Sequence, residues 1–187
     1  MRLPYNNLFA DLWNLEVLPV QVSKQVKYLI REGKLPKIRK LGLVIRRDAG
    51  CKLERPLASV HLLSHLQTLK IISVGIDHII SLPTFPETIT KISLNGVNLD
   101  EGGMGVLEKL PKLWILKLRN CLFSLGRIHI RAESFPQLQY LQLRPREQIF
   151  DRWTQDEGAM PVLKHLVIDN LKVDMFPSRR EGAVSNI

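Results

Sequence analysis

Ten side chains in this sequence have the types and the spacing to recognise an anion: Arg39, Lys40, Lys70, Lys91, Trp114, Lys117, Arg119, Tyr140, Arg144 and Lys164. The cations among them flank paired apolar residues, and the same flanking positions supply only two acids, Glu16 and Asp169. Ammonium and guanidinium groups gathered without counter-charge attract carboxylates or phosphates. Trp114 and Tyr140 would add the large contact area typical of interaction hot spots. A blander account is that lysines on an exposed sheet keep it soluble and discourage edge pairing, while the aromatics pack sideways against neighbouring strands. The sequence leaves both accounts open.

Other reactive groups are less suggestive. His61 and His65 stand four apart with Asp77 and His78 nearby, but a zinc site needs three or four ligands at recognised spacing, and these histidines flank repeat leucines, as structural histidines do. Cys121 follows Leu116-x-Leu118 where a small buried residue would close a turn. Cys51, beside Lys52 in a loop, is the more reactive of the two cysteines but stands alone. Gly102, Gly103 and Gly105 have no following Lys-Ser/Thr pair, so no phosphate-cradling loop is present. Serines and acids show no triad-like grouping. The expectation is therefore a chain that is not an enzyme, with no catalytic, cofactor-binding or metal-binding residues.

What must position the anion-binding side chains is a repeat. The pattern apolar-x-x-apolar-x-x-apolar-x-apolar returns along the chain, with its last two anchors at Leu18/Val20, Leu41/Leu43, Leu69/Ile71, Ile92/Leu94, Leu116/Leu118, Leu141/Leu143 and Leu166/Ile168. The second anchors are separated by 23, 28, 23, 24, 25 and 25 residues, within the ~20 to 29 residues of a leucine-rich repeat. Each paired anchor alternates with period two, which is strand behaviour. Strands joined in one direction through return segments must be parallel. The expected fold is an α/β leucine-rich repeat solenoid: a curved, single parallel sheet on the concave face, about seven repeats, and the ten side chains above on that face.

The returns are expected to differ. Val22, Val26, Leu29 and Ile30 predict a helix between Gln21 and Lys34, and Leu57, Val60, Leu62 and Leu63 predict another. The glycine-rich return from Asp100 to Lys109 predicts only a turn of helix, and Asp48 to Pro56 an exposed loop. One domain, 1–187, is expected, with repeats over about 10–177 and a disordered polar tail at 178–187. Terminal layers of a solenoid need polar caps; none is evident, and Phe176-Pro177 resembles the opening of a further copy. This suggests part of a longer solenoid, or a product whose ends need covering.

The 187 residues are 45% hydrophobic and carry a net charge of +9. That charge suits an acidic partner surface. Asp11 and Glu16 interrupt what would be a secretory signal. There is no apolar run of membrane-spanning length. Two cysteines and no Asn-x-Ser/Thr site argue against an extracellular address, so a cytoplasmic one is expected.

Phe135-Pro136-Gln137-Leu138-Gln139-Tyr140-Leu141-Gln142-Leu143 and Gly158-Ala159-Met160-Pro161-Val162-Leu163-Lys164-His165-Leu166 carry a more specific signal. With Leu107-Glu108-Lys109-Leu110-Pro111-Lys112-Leu113 and Leu116-Lys117-Leu118-Arg119-Asn120-Cys121, they resemble the irregular leucine-rich repeats of plant intracellular nucleotide-binding disease-resistance proteins of the coiled-coil class. The resemblance spans residues 10 to 177. It implies a role in defence, in which the repeats recognise a pathogen effector or host protein and restrain the receptor until they do. The expected partner is a protein with an acidic surface: an effector, a host protein or a nucleotide-binding domain. Membranes and cofactors are not expected, and nucleic acid is disfavoured because two aromatics without a recognition motif make a poor stacking platform. The alternatives are a substrate-adaptor or inhibitor-type leucine-rich protein, or a receptor fragment without independent signalling.

Overall fold

The computed structural model describes residues 19–21, 35, 37–46, 59–74, 82–123, 127–146 and 152–169. In chain order the elements are β1 (Pro19–Gln21), β2 (Lys40–Arg46), a 3-10 turn (Val60–Leu62), β3 (Thr68–Val74), β4 (Lys91–Asn95), β5 (Asn98–Leu99), α1 (Glu101–Glu108), β6 (Ile115–Phe123), β7 (Arg127–Ile130), β8 (Tyr140–Pro145), β9 (Arg152–Gln155) and β10 (His165–Ile168). The main sheet runs β1-β2-β3-β4-β6-β8-β10, parallel throughout. This is the leucine-rich repeat solenoid that the leucine spacing predicts.

Register shows why the spacing works. Val20, Leu43, Ile71, Leu94, Leu118, Leu143 and Ile168 are successive cross-strand partners, so the second anchors form one continuous apolar row. Leu41, Leu69, Ile92, Leu116 and Leu141 form the row beside it. Both rows are almost wholly buried from β2 to β8. Each such side chain contributes roughly 1.5–3 kcal/mol when removed from water. A second device locks the layers together. One carbonyl per layer, on Arg39, Gln67, Thr90, Trp114 and Gln139, accepts two N–H groups from the next strand's start, at 2.8–3.1 Å. At β10 the stacking ends among the described residues, and Leu166 is 43% exposed where its partner Leu141 is 1% exposed.

The chain leaves the sheet through a left-handed corner. Gly96 has φ +70° and Asn120, one layer on, φ 49°; glycine and asparagine tolerate this region best. Gly96 N–H donates to the Arg119 carbonyl at 2.9 Å. Val97 and Cys121, just past each corner, are completely buried. Beyond the corner, β5 pairs with the far half of β6 (Asn98 with Leu122, Leu99 with Phe123), and β7 pairs with β9 in a separate parallel sheet.

Among the described residues the returns differ from the expected helices. At the second expected helix the described residues form a 3-10 turn over Val60–Leu62; Val60 and Leu63 reach the core while Leu62 is half exposed, so this part of the apolar spacing anchors a turn. Leu57 lies outside the described residues, as do Val22, Val26, Leu29, Ile30, the Asp48 to Pro56 loop and the 178–187 tail. The glycine-rich return errs the other way, forming the eight-residue α1 where a single turn was expected. Asp100 caps it by accepting the Gly103 N–H at 2.7 Å, and Met104 and Leu107 are buried one turn apart. Cap and burial together outweigh the ~0.5–1 kcal/mol that each interior glycine costs.

Candidate functional site

Strand alternation puts the anchors inward and every residue between and beside them on the open face of the sheet. Lys40 begins β2, Lys70 lies mid-β3, Lys91 begins β4, Lys117 and Arg119 lie on β6, and Tyr140 and Arg144 on β8. Arg39, Trp114 and Lys164 stand one residue further back, at the carbonyl ladder. All ten expected side chains are exposed or half-exposed. Register gathers the densest group on three adjacent strands: Lys91 aligns with Ile115 and Tyr140, Ser93 with Lys117 and Gln142, and Asn95 with Arg119 and Arg144. Arg39, Lys40 and Lys70 continue the face across β2 and β3, and Lys164 lies at the far edge.

Within that group Lys117 and Arg119 are steadied by neutral partners. Lys117 Nζ sits 5.0 Å from the centre of the Tyr140 ring. The Tyr140 ring lies in turn 6.2 Å from that of His165. Arg119 donates from Nε and Nη2 to Gln142 Oε1 at 3.2 and 2.9 Å. Asn120 donates to Asn95 Oδ1 at 3.1 Å. Partial burial, then the like charges of Arg119 and Lys91, hold the Lys117 ammonium below the ordinary lysine range. Of the eight described acids, only Asp169 lies beside these strands; Glu87, Asp100, Glu101, Glu108, Glu133, Asp156 and Glu157 all lie in the returns. Trp114, 51% exposed, does not supply the ring for Lys117; Tyr140 does.

Sequence reasoning missed Gln142 and His165. Both could have been found by stepping one layer on, since they are the register partners of Lys117 and Tyr140. It also missed a hydroxyl–imidazole–carboxylate chain in the returns. His129 Nδ1 is 3.0 Å from Thr154 Oγ1 and its Nε2 is 3.5 Å from Asp156 Oδ2, which corrects the expectation of no triad-like grouping. Parallel pairing of β7 with β9 puts His129 opposite Thr154. His129 and Asp156 are about half exposed, and in water such groups lack the dry, preorganised surroundings that strengthen charge stabilisation. Asp156 also accepts the Ala132 N–H at 3.2 Å, so it closes the turn after β7.

Cys121 is completely buried, and burial pushes its thiol up to about 12. Its Sγ donates toward the carbonyls of Arg119 and Leu94, at 3.3 and 3.8 Å, which suits a structural role at the corner. Cys51, Asp77, His78 and Glu16 lie outside the described residues. His61 and His65 are exposed. Among the described residues no three His, Cys, Asp or Glu side chains group as metal ligands, and no helix is long and apolar enough to cross a membrane.

No protein-family model matches the chain. It is 37% identical over 94 residues to the probable disease resistance protein RF9 of Arabidopsis thaliana, half of this chain and 9% of that protein. It is 30% identical over 192 residues to the probable disease resistance protein RXW24L of the same plant, covering 89% of this chain and 21% of the relative. The ToMV susceptible protein tm-2 of Solanum lycopersicum is 28% identical over 67% of the chain, which spans 15% of it. The chain thus spans about a fifth or less of the curated relatives it matches. Its homologues are plant disease resistance proteins, as the Phe-Pro and Met-Pro repeat openings imply.

Proposed function

We propose that this leucine-rich repeat segment is a non-catalytic, cytoplasmic interaction module of plant defence, which docks an acidic protein surface on the open face of its sheet. The observation that carries the proposal is the separation of charge among the described residues: cations on β2, β3, β4, β6 and β8, and every acid but Asp169 in the returns. Relatedness to disease resistance proteins supports the defence context. Complementary fields steer encounter and exclude wrong partners more than they raise affinity, so the side chains around Trp114 and Tyr140 would supply much of the contact energy.

The test is simultaneous reversal of Lys91, Lys117 and Arg144 to Glu. The wild-type chain and the variant are expressed in leaf tissue and their co-purifying proteins quantified by mass spectrometry, with circular dichroism melts as the folding control. Loss of acidic partners by a variant that melts normally is the expected outcome. An unchanged set of partners would exclude the open face as the docking surface.

A further inference from the structure

Lys117 and Arg119 stand two residues apart on the same face of β6, so their backbone positions are about 6.6 Å apart along the strand. Each is held by a neutral side chain of β8: Lys117 by the Tyr140 ring at 5.0 Å, Arg119 by Gln142 Oε1 at 2.9 and 3.2 Å. Gln142 occupies two of the five guanidinium N–H groups and leaves the rest for a ligand. Holding the cations in this way limits their motion without cancelling their charge, and lowers the ordering cost of binding. Arg144, register partner of Arg119, adds a third cation directly alongside. Like charges on facing positions are unfavourable until an anion lies between them. Three residues before Lys117, the half-exposed Trp114 offers an apolar shelf.

From this geometry we infer that Lys117 and Arg119 form a preorganised clamp for two carboxylates spaced acid-x-acid on an extended segment of a partner protein, with Trp114 receiving an apolar residue of the same segment. An extended peptide repeats its side chains on one face every second residue, which matches the spacing of the two cations. The inference rests on the open face being the docking surface, and it adds the chemistry and spacing of what docks there.

The experiment is calorimetric titration of the full chain with a synthetic peptide carrying Glu-x-Glu and a leucine three positions away. A permuted peptide of the same composition, with the acids moved to Glu-x-x-x-Glu, and an oligouridylate of equal charge are titrated in parallel. The Glu-x-Glu peptide is expected to bind best. Gln142→Glu places a carboxylate against the Arg119 guanidinium and should weaken binding by about tenfold, the loss of one charge-assisted contact. Arg119→Gln should weaken it comparably and serves if Gln142→Glu lowers the melting temperature. Tyr140→Leu should cost about threefold by freeing Lys117. Equal binding of the permuted peptide, oligouridylate binding at least as tightly, or Gln142→Glu and Arg119→Gln both binding like wild type would each overturn the clamp. If the triple charge reversal still abolishes partner capture in that case, the docking face stands and only the clamp is lost.

Discussion

On the return side of the solenoid Arg131 reaches Glu108 at 3.4 Å and His129 reaches Asp156 at 3.5 Å, whereas on the sheet Lys117 meets a tyrosine ring and Arg119 a glutamine. The Arg131 contact brings opposite charges together, and the His129 contact sets an imidazole against a carboxylate. Glu108 has little choice, since its side chain is only 5% exposed and its Oε1 has no hydrogen-bond partner among the described residues; a carboxylate removed from water needs a cation or several hydrogen bonds. The sheet-side contacts fix the direction of a positive group and leave its charge for a molecule outside. A cation satisfied internally serves the fold, and one braced by neutral groups is available to a partner.

The corner joining the two faces gives the largest effect. A Cβ at Gly96 would lie 2.4 Å from the Ser73 carbonyl oxygen, in a backbone with φ +70°. Gly96→Ala is expected to cost about 3 kcal/mol, since the left-handed penalty of roughly 1–2 kcal/mol is joined by displaced backbone. Gly158→Ala, at φ +79° with nothing within 4 Å, should cost only the penalty of about 1–2 kcal/mol. Urea denaturation of both variants isolates the contact, and equal losses would remove the steric argument.

A smaller effect tests the faces directly. Arg131→Ala removes the cation that pairs with the buried Glu108 carboxylate and should destabilise by about 1–2 kcal/mol. Lys117→Ala should stay within about 0.5 kcal/mol of wild type, because it removes repulsion from Arg119 and Lys91 along with the ring contact. Added salt should narrow the gap by screening both terms. A Lys117→Ala loss as large as that of Arg131→Ala would break the contrast between faces.

At neutral pH the smallest effect is that of the Cys121 thiol, which shows itself only in alkali. The Cys121 thiol is raised from an ordinary 9.0 to about 12 by burial, so its contribution is intact below pH 9.0 and is lost as pH rises towards 12. Thermal melts across that window should fall more steeply for wild type than for Cys121→Ala. At neutral pH the same burial should keep Cys121 unalkylated until the chain unfolds, which peptide mapping after iodoacetamide treatment would check.

Much of the fold and some of the site were legible from the residues. The anchors from Leu41 to Ile168 name the strands, and the cations beside them name the open face. Less legible were the partners of those cations. Gln142 looks like one polar residue among many until register sets it beside Lys117 and within reach of Arg119. His129, Thr154 and Asp156 meet because β7 and β9 pair in parallel at the same 25-residue step as Leu118 and Leu143, but both strands lie outside the anchor pattern, so nothing in it marks them as partners. The glycine-rich return forms more helix than its composition suggests because α1 depends on its Asp100 cap and on core contacts at Met104 and Leu107, while the described residues around Val60 form a 3-10 turn.

By itself the sequence determined a parallel sheet with a leucine spine and a face rich in cations. Period-two alternation recurring every 23 to 28 residues leaves few other ways to bury those side chains together. Only the tertiary structure decided which cations meet an acid and which meet a neutral brace. That choice depends on distances of a few ångströms between different layers, set by strand register and by where each return sends its carboxylates, and neither is encoded in the local order of residues.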